Sequence, residues 1–127
     1  MDPGQTRMYL DKSGTSLTDL DGEVLVTGLG NSDLEDLELY LTGSNVADKT
    51  GIALANSLKG RPKIVNLLLA LAEIKLGDES GIALGRALAC CTKLVKVALD
   101  LHGSKLTDSG GRALATGLKG RALACHC

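Results

Sequence analysis

Two patterns of apolar positions alternate along this chain. In the first, apolar residues fall at every second position: Leu37, Leu39 and Leu41; Leu67, Leu69 and Leu71; Val97, Leu99 and Leu101. A period of two puts them on one face of an extended strand. In the second, Gly51, Leu54, Ala55 and Leu58 stand at i, i+3, i+4 and i+7, and so do Gly81, Leu84, Gly85 and Leu88, and Gly111, Leu114, Ala115 and Leu118. That spacing marks one face of a helix. The alternation predicts strands near 8–12, 37–41, 67–71 and 97–101, with a helix after each.

Both patterns recur at one period. The helical segments DLDGEVLVTGL, DKTGIALANSL, DESGIALGRAL and DSGGRALATGL begin at Asp19, Asp48, Asp78 and Asp108, at spacings of 29, 30 and 30 residues. The strand segments RMYLDKSG, DLELYLTG, NLLLALAE and KVALDLHG place Leu10, Leu39, Leu69 and Leu99 at the same intervals. Two motifs in step define a repeated strand-loop-helix unit. The units run approximately 5–33, 34–63, 64–93 and 94–122, with a partial fifth at 123–127, inside one domain spanning 1–127. Short returns make successive strands parallel neighbours. Strands lie ~4.8 Å apart and packed helices ~8 to 10 Å, so the stack is expected to curve, with the parallel sheet on its concave face and helices on its convex face. The expected fold class is an α/β curved solenoid.

Local chemistry fits this frame. Asp48, Asp78 and Asp108 are expected to cap the helices they open, accepting from free first-turn N–H groups. A glycine three residues later is expected where helix meets sheet. Gly14, Gly43 and Gly103 follow the strands, with Glu73 in that place in the third unit, and an apolar anchor comes next at Leu17, Val46, Leu76 or Leu106. Gly60 and Gly120 are expected to end helices in the left-handed conformation.

Composition narrows the function. Hydrophobic residues make up 44% of the chain, yet there is no Phe or Trp and only Tyr9 and Tyr40, so the core is built from Leu, Ile, Val and Ala. A net charge of -1 supplies no global field, and no nucleic-acid partner is expected. No stretch reaches the ~18 apolar residues of a membrane span, and MDPGQTRMYL lacks the charged and apolar regions of a signal peptide. A soluble intracellular protein, in the cytoplasm or an organelle interior, is expected. Cys90, Cys91, Cys125 and Cys127 do not form a disulfide framework and read as free thiols in a reducing compartment.

The pattern LxxLxLxLxxxNxxDxxGxxLAxxL, from Leu34 to Leu58, resembles the ribonuclease-inhibitor-like class of leucine-rich repeats, and the likeness covers residues 8 to about 124. Ran GTPase-activating proteins and NOD-like receptors carry repeats of this class. A third apolar strand residue, with Asn45 six positions after Leu39, is similar to the long-strand variant of some repeat proteins of single-celled eukaryotes. Lys75 and Lys105 replace that asparagine, so no asparagine ladder can satisfy the loop carbonyls. The resemblance implies a binding scaffold whose partner the fold does not specify.

It also implies contacts on the concave face. With alternate strand positions in the core, their neighbours stack in four rows: Arg7, Asp36, Asn66, Lys96; Tyr9, Glu38, Leu68, Ala98; Asp11, Tyr40, Ala70, Asp100; and Ser13, Thr42, Ala72, His102. Tyr9, Glu38, Tyr40, Leu68, Ala70, Ala72, Lys96, Asp100 and His102 are the candidate protein-binding residues. Leu68, Ala70 and Ala72 are expected to stand exposed beside the tyrosines, as a partner-seeking apolar patch. The predicted first strand by Met8 and the fifth unit at Leu123 leave no room for polar caps. The expectation is therefore an accessory subunit of a larger assembly or self-association through the ends. The alternatives are a free-standing recognition module or a fragment of a longer regulator.

Catalysis is not expected: Asp100 and His102 share a face, but the repeat places no nucleophile beside them. No cofactor is expected. Cys125, His126 and Cys127 could recruit Cys90 or Cys91 to zinc or copper, but without a CxxC pair the thiols read as buried or frayed. Lys59, Arg61, Lys63, Lys93, Lys96, Lys119 and Arg121 recur at the helix-to-strand edge, where they suit helix C-termini better than a phosphate-bearing partner. GLKGR lacks the GK[ST] ending of a phosphate loop.

Overall fold

The computed structural model describes residues 6–29 and 33–119, and the backbone of 122–126. Strands and helices alternate: β1 (Arg7–Asp11), α1 (Asp19–Thr27), β2 (Asp36–Tyr40), α2 (Asp48–Lys59), β3 (Asn66–Ala70), α3 (Asp78–Cys90), β4 (Lys96–Asp100), α4 (Asp108–Gly117) and β5 (Ala122–His126). The strands form one parallel sheet in the order β1-β2-β3-β4-β5. Each strand begins one residue earlier than the hydrophobic pattern predicts, because polar Arg7, Asp36, Asn66 and Lys96 are already paired in the ladder.

Leu41, Leu71 and Leu101 lie just past the strands and are still buried. Leu41 N–H donates to Ala70 O (2.9 Å) and Leu71 N–H to Asp100 O (2.8 Å), so the ladder outlasts the regular strand. The inward residues Leu37, Leu39, Leu67, Leu69, Val97 and Leu99 join Leu54, Leu58, Leu84, Leu88, Leu114 and Leu118 of the helices in one core. The anchors Val46 and Leu76 are fully buried, while Leu17 and Leu106 pack at its margin.

The turn after each strand requires a left-handed residue. Gly14, Gly43 and Gly103 adopt φ of 68°, 72° and 74°, and Glu73 is held at 55° in the third unit. An L-residue there crowds its Cβ against the backbone, which glycine avoids. Gly60, by contrast, ends α2 at φ -83°, so it is no left-handed cap. The helix closes instead with tight bonds, Gly60 N–H to Ser57 O and Arg61 N–H to Leu58 O, and Arg61 Nη1 also donates to Ser57 O (3.3 Å). Gly120 lies outside the described residues.

The loops need no asparagine ladder. Asn45 N–H donates to Leu17 O, Lys75 N–H to Val46 O and Lys105 N–H to Leu76 O, at 2.9, 3.2 and 2.9 Å. The backbone of each loop satisfies the one before it, and the exposed side chain at that position is free to vary.

The helix-opening aspartates act across units, which corrects the expectation that each caps its own helix. Asp19 is the first residue of α1, yet its carboxylate accepts from Ala47 N–H (2.8 Å), Lys49 N–H (3.1 Å), Thr50 N–H (2.9 Å) and the Thr50 hydroxyl (2.8 Å), all at the start of α2. Asp48 accepts from Gly77 N–H (3.0 Å) and the Ser80 hydroxyl, and Asp78 from Thr107 N–H (2.8 Å), its hydroxyl, and Gly110 N–H (3.0 Å). Parallel neighbouring helices bring the next free N-terminus within side-chain reach. Among the described helices only α1 carries a local capping box, in which Thr18 and Asp21 bond each other reciprocally.

The recurring glycines serve the same joints and not the helix-sheet contact expected for them. A Cβ on Gly22 would collide with Thr50, on Gly51 with Ser80, and on Gly81 with Leu106 and, at 2.9 Å, with Gly110 Cα. Gly85 and Gly117 bring α3 and α4 together backbone to backbone: a Cβ on Gly85 would meet the Ala113 carbonyl group.

Candidate protein-binding face

The face of the sheet turned away from the helices carries the candidate residues, and strand pairing brings the predicted rows together. Arg7, Asp36, Asn66 and Lys96 are in register, followed by Tyr9, Glu38, Leu68 and Ala98, then by Asp11, Tyr40, Ala70 and Asp100. The first row is a polar ladder: Arg7 Nε lies 3.0 Å from Asp36 Oδ2, and Asn66 Nδ2 donates to Asp36 Oδ1 at 2.6 Å. Asp36 therefore orients two neighbours at once. Lys96 is exposed at the end of the row.

The second and third rows are joined by aromatics. Tyr9 and Tyr40 occupy diagonal positions on adjacent strands, with ring centroids 5.3 Å apart and planes tilted by 52°. This geometry is favourable for aromatic pairs. Tyr9 is 64% exposed, although large apolar bodies are usually covered. The Tyr40 hydroxyl donates to Glu38 Oε1 (3.0 Å), and that bond, with burial and nearby negative charge, raises the phenol's pKa. Leu68, Ala70 and Ala98 are half-buried. Arg7, Tyr9, Glu38, Leu68, Lys96 and Ala98 border an open depression of about 520 Å³ floored by Met8, Leu37 and Leu67.

Ala72 departs from expectation: it is 5% exposed. Its carbonyl accepts from Gly43 N–H (3.1 Å), the bond that Thr42 and His102 also make in their turns, but those two keep part or all of their exposure. The apolar patch is thus Tyr9, Tyr40, Leu68, Ala70 and Ala98.

Asp100 and His102 do meet, but through the backbone: the His102 N–H donates to Asp100 Oδ1 (3.2 Å), a local turn also made by Ser13 N–H on Asp11 Oδ1 (2.9 Å). The Ser13 N–H and hydroxyl pull the Asp11 pKa down. Glu73 N–H bonds the His102 carbonyl, so this row continues the ladder.

Of the basic residues at the helix-to-strand edge, Arg61 is buried, and burial lowers its pKa. It occupies the position of Cys91 in the next unit, also buried. Lys63 pairs with Asp33 at 2.8 Å. Cys90 is exposed. Arg121 and the side chains of Cys125, His126 and Cys127 lie outside the described residues, among which no group of three or more His, Cys, Asp or Glu is placed to hold a metal.

Two features were missed in the sequence. The first is Asp36 as organiser of the polar row, signalled by its pairing with Arg7 and Asn66. The second is an apolar flank on α1, where Leu20 is 59% and Val24 65% exposed, with half-covered Ile52 of α2 nearby. Their i, i+4 spacing was the available signal. No described helix is long and apolar enough to cross a membrane.

No family model matches this chain, and no curated protein matches it. Among solved structures it is similar to one titled "Leiomodin-1 Actin-Binding Site 2 (ABS2)", with a TM-score of 0.71 and 20% identity over 99% of this chain and 73% of that one. At that identity the likeness concerns the fold: an α/β arrangement in which a parallel sheet and a row of helices alternate along the sequence.

Proposed function

We propose that this chain is a non-catalytic leucine-rich-repeat module of the ribonuclease-inhibitor-like class, a curved solenoid that binds a protein on its concave sheet face. The observation that carries this reading is the pairing of exposed Tyr9 with half-buried Tyr40 beside Leu68 and Ala98, edged by Arg7, Asp36, Glu38 and Lys96. Aromatic anchors within a polar, bonded rim are the usual composition of a protein-binding patch. The similar structure titled as an actin-binding site adds support and makes actin the first partner to try. The reading places the chain inside the cell, where the exposed Cys90 and buried Cys91 thiols stay reduced.

Purified actin, titrated against the fluorescently labelled chain, is the direct test. Tyr40→Glu with Leu68→Glu should reduce affinity at least tenfold while leaving the circular dichroism spectrum unchanged. Actin binding that survives the double substitution would remove the concave face from the reading; absence of any actin binding would remove actin. The exposed Leu20 and Val24 favour a second reading, an accessory subunit of a larger assembly that covers α1. A complex isolated from the native source in which Val24 is protected from a surface-labelling carbene would support it.

A further inference from the structure

We propose that the partner seats a positively charged side chain, an arginine or a lysine, on the Tyr9–Tyr40 pair, and an apolar side chain beside it on Leu68. The inference rests on the concave-face reading and specifies the chemistry of what binds there. Strand pairing sets Tyr9 beside Glu38 and Asp11 beside Tyr40. The two rings therefore stand on one diagonal of a square and the two carboxylates on the other. The rings lie with centroids 5.3 Å apart, and Tyr9, Asp11 and Glu38 are all exposed.

The square is held together from within. The Tyr40 hydroxyl donates to Glu38 Oε1 at 3.0 Å. The Asp11 carboxyl is held below its usual range by Ser13 first and by the Tyr9 hydroxyl after it, so it stays ionised at neutral pH. Ring faces attract cations through their quadrupole, and a carboxylate on either side adds an ionic partner. A guanidinium or ammonium group is the chemistry that uses both diagonals at once.

The face supplies no such group of its own. Its second to fourth rows carry Glu38, Asp11 and Asp100 but no lysine or arginine, and β5 continues them with Ala124 and His126. Arg7 stands in the first row, bonded to Asp36. Lys12 belongs to the opposite alternation, with Leu41 and Leu71. The opening is also a property of the face and not of the chain's ends. A further strand beside β1 would pair with its edge, as β3 pairs with β2, and would leave the rings uncovered. Leu68 is in register with Glu38 and Ala70 with Tyr40, which sets an apolar floor next to the square. An extended segment presents side chains two positions apart about 7 Å from each other, so a leucine and an arginine at i and i+2 reach both places.

The probe is a short blocked peptide of glycine and serine carrying one leucine and, two positions on, one arginine. It is titrated into the isotope-labelled full chain and followed by amide and tyrosine-ring chemical shifts. A second peptide carries citrulline, neutral and of nearly the same shape, in place of the arginine. Shifts are expected at Tyr9, Asp11, Glu38, Tyr40 and Leu68. The citrulline peptide should bind about tenfold more weakly, because an exposed cation–π contact and an exposed ion pair are each worth a factor of about two to five. Tyr9→Leu with Tyr40→Leu, and separately Asp11→Asn with Glu38→Gln, should each weaken the arginine peptide about threefold, and the carboxylate pair should leave the citrulline peptide's affinity unchanged. Equal affinity for the two peptides at these residues would overturn the cation and leave the concave face in place. No shifts with the arginine peptide, or shifts elsewhere, would also overturn the proposal, and the face itself is judged separately by the actin titration. If either double variant fails to fold, the two peptides compared on the parent chain decide.

Discussion

Replacing Asp19 should loosen the beginning of α2 and not that of α1, the helix it opens. Asp19 is the first residue of α1, but its carboxylate holds three N–H groups and a hydroxyl at the start of α2, at 2.8 to 3.1 Å. Removing one capping side chain costs about 0.5–2 kcal/mol, and hydrogen bonds to charged groups are individually worth about 1.5–3 kcal/mol. The site is only part-buried, so water replaces some of what is lost. Asp19→Ala should therefore cost about 2–3 kcal/mol. Asp19→Asn keeps an Oδ1 acceptor for Ala47 and Thr50 but loses the charge and the bond from Lys49, and should cost about half as much. In urea, with a slope of about 1–3 kcal/mol per molar, the Ala variant's midpoint should fall by roughly 1 M. Amide exchange locates the damage: protection should drop at Ala47, Lys49 and Thr50, while Asp21 and Gly22 of α1 keep theirs through Thr18. Loss of protection in α1 with α2 untouched would refute the reasoning.

Three further outcomes follow from the geometry. Gly85→Ala should destabilise by about 2 kcal/mol or more, because its Cβ is driven into the Ala113 carbonyl, whereas Gly111→Ala should stabilise by about 0.5–1 kcal/mol through helix propensity, since its Cβ meets open space; paired thermal melts of the two variants check this. Glu73→Gly, which relieves a left-handed glutamate at φ 55° at the cost of unfolded-state freedom, should stabilise by up to about 1 kcal/mol and raise the melting temperature by a few degrees; an unchanged or lower melting point counts against the strain. The chain should lose stability in acid. Burial pushes the Asp19 carboxyl up, but the bonds from Thr50, Ala47 and Lys49 outweigh it, and those from Thr107 and Gly110 lower Asp78. A depressed folded pKa means stability present above the unfolded value of about 3.9 and lost as pH falls through the folded value, so urea midpoints should drop below about pH 4, and less steeply in Asp19→Asn.

Much of this was legible because repetition averages out local ambiguity. Leu37, Leu67 and Val97 fix a strand register only when their common period is seen, and that register also set the rows Tyr9 to Ala98 and Arg7 to Lys96 correctly. The destination of the aspartates was hidden because an Asp at the first turn faces two helix N-termini, its own and the next, and sequence does not rank them. The glycines had the same ambiguity: a missing side chain signals close approach but not to what. Ala72 was misjudged because alternation was carried past the end of β3 into the turn, where the same position is exposed in His102 and buried in Ala72. Arg61 was read as surface because of its charge, though its unit places it where the next one buries Cys91. The row placed Asp36 beside Arg7 and Asn66, and only the bonds it makes to both needed coordinates.

The aspartate relay gives the stack a polarity that no single unit possesses. Because each carboxylate serves the helix that follows, losing the Asp19 unit would strip α2 of its cap, while losing the α4 unit would leave the caps of α2 and α3 in place. Among the described helices α1 alone carries its own capping box, formed by Thr18 and Asp21. Damage therefore travels one way along the relay: a lost carboxylate is felt by the helix after it and not by the helix before it.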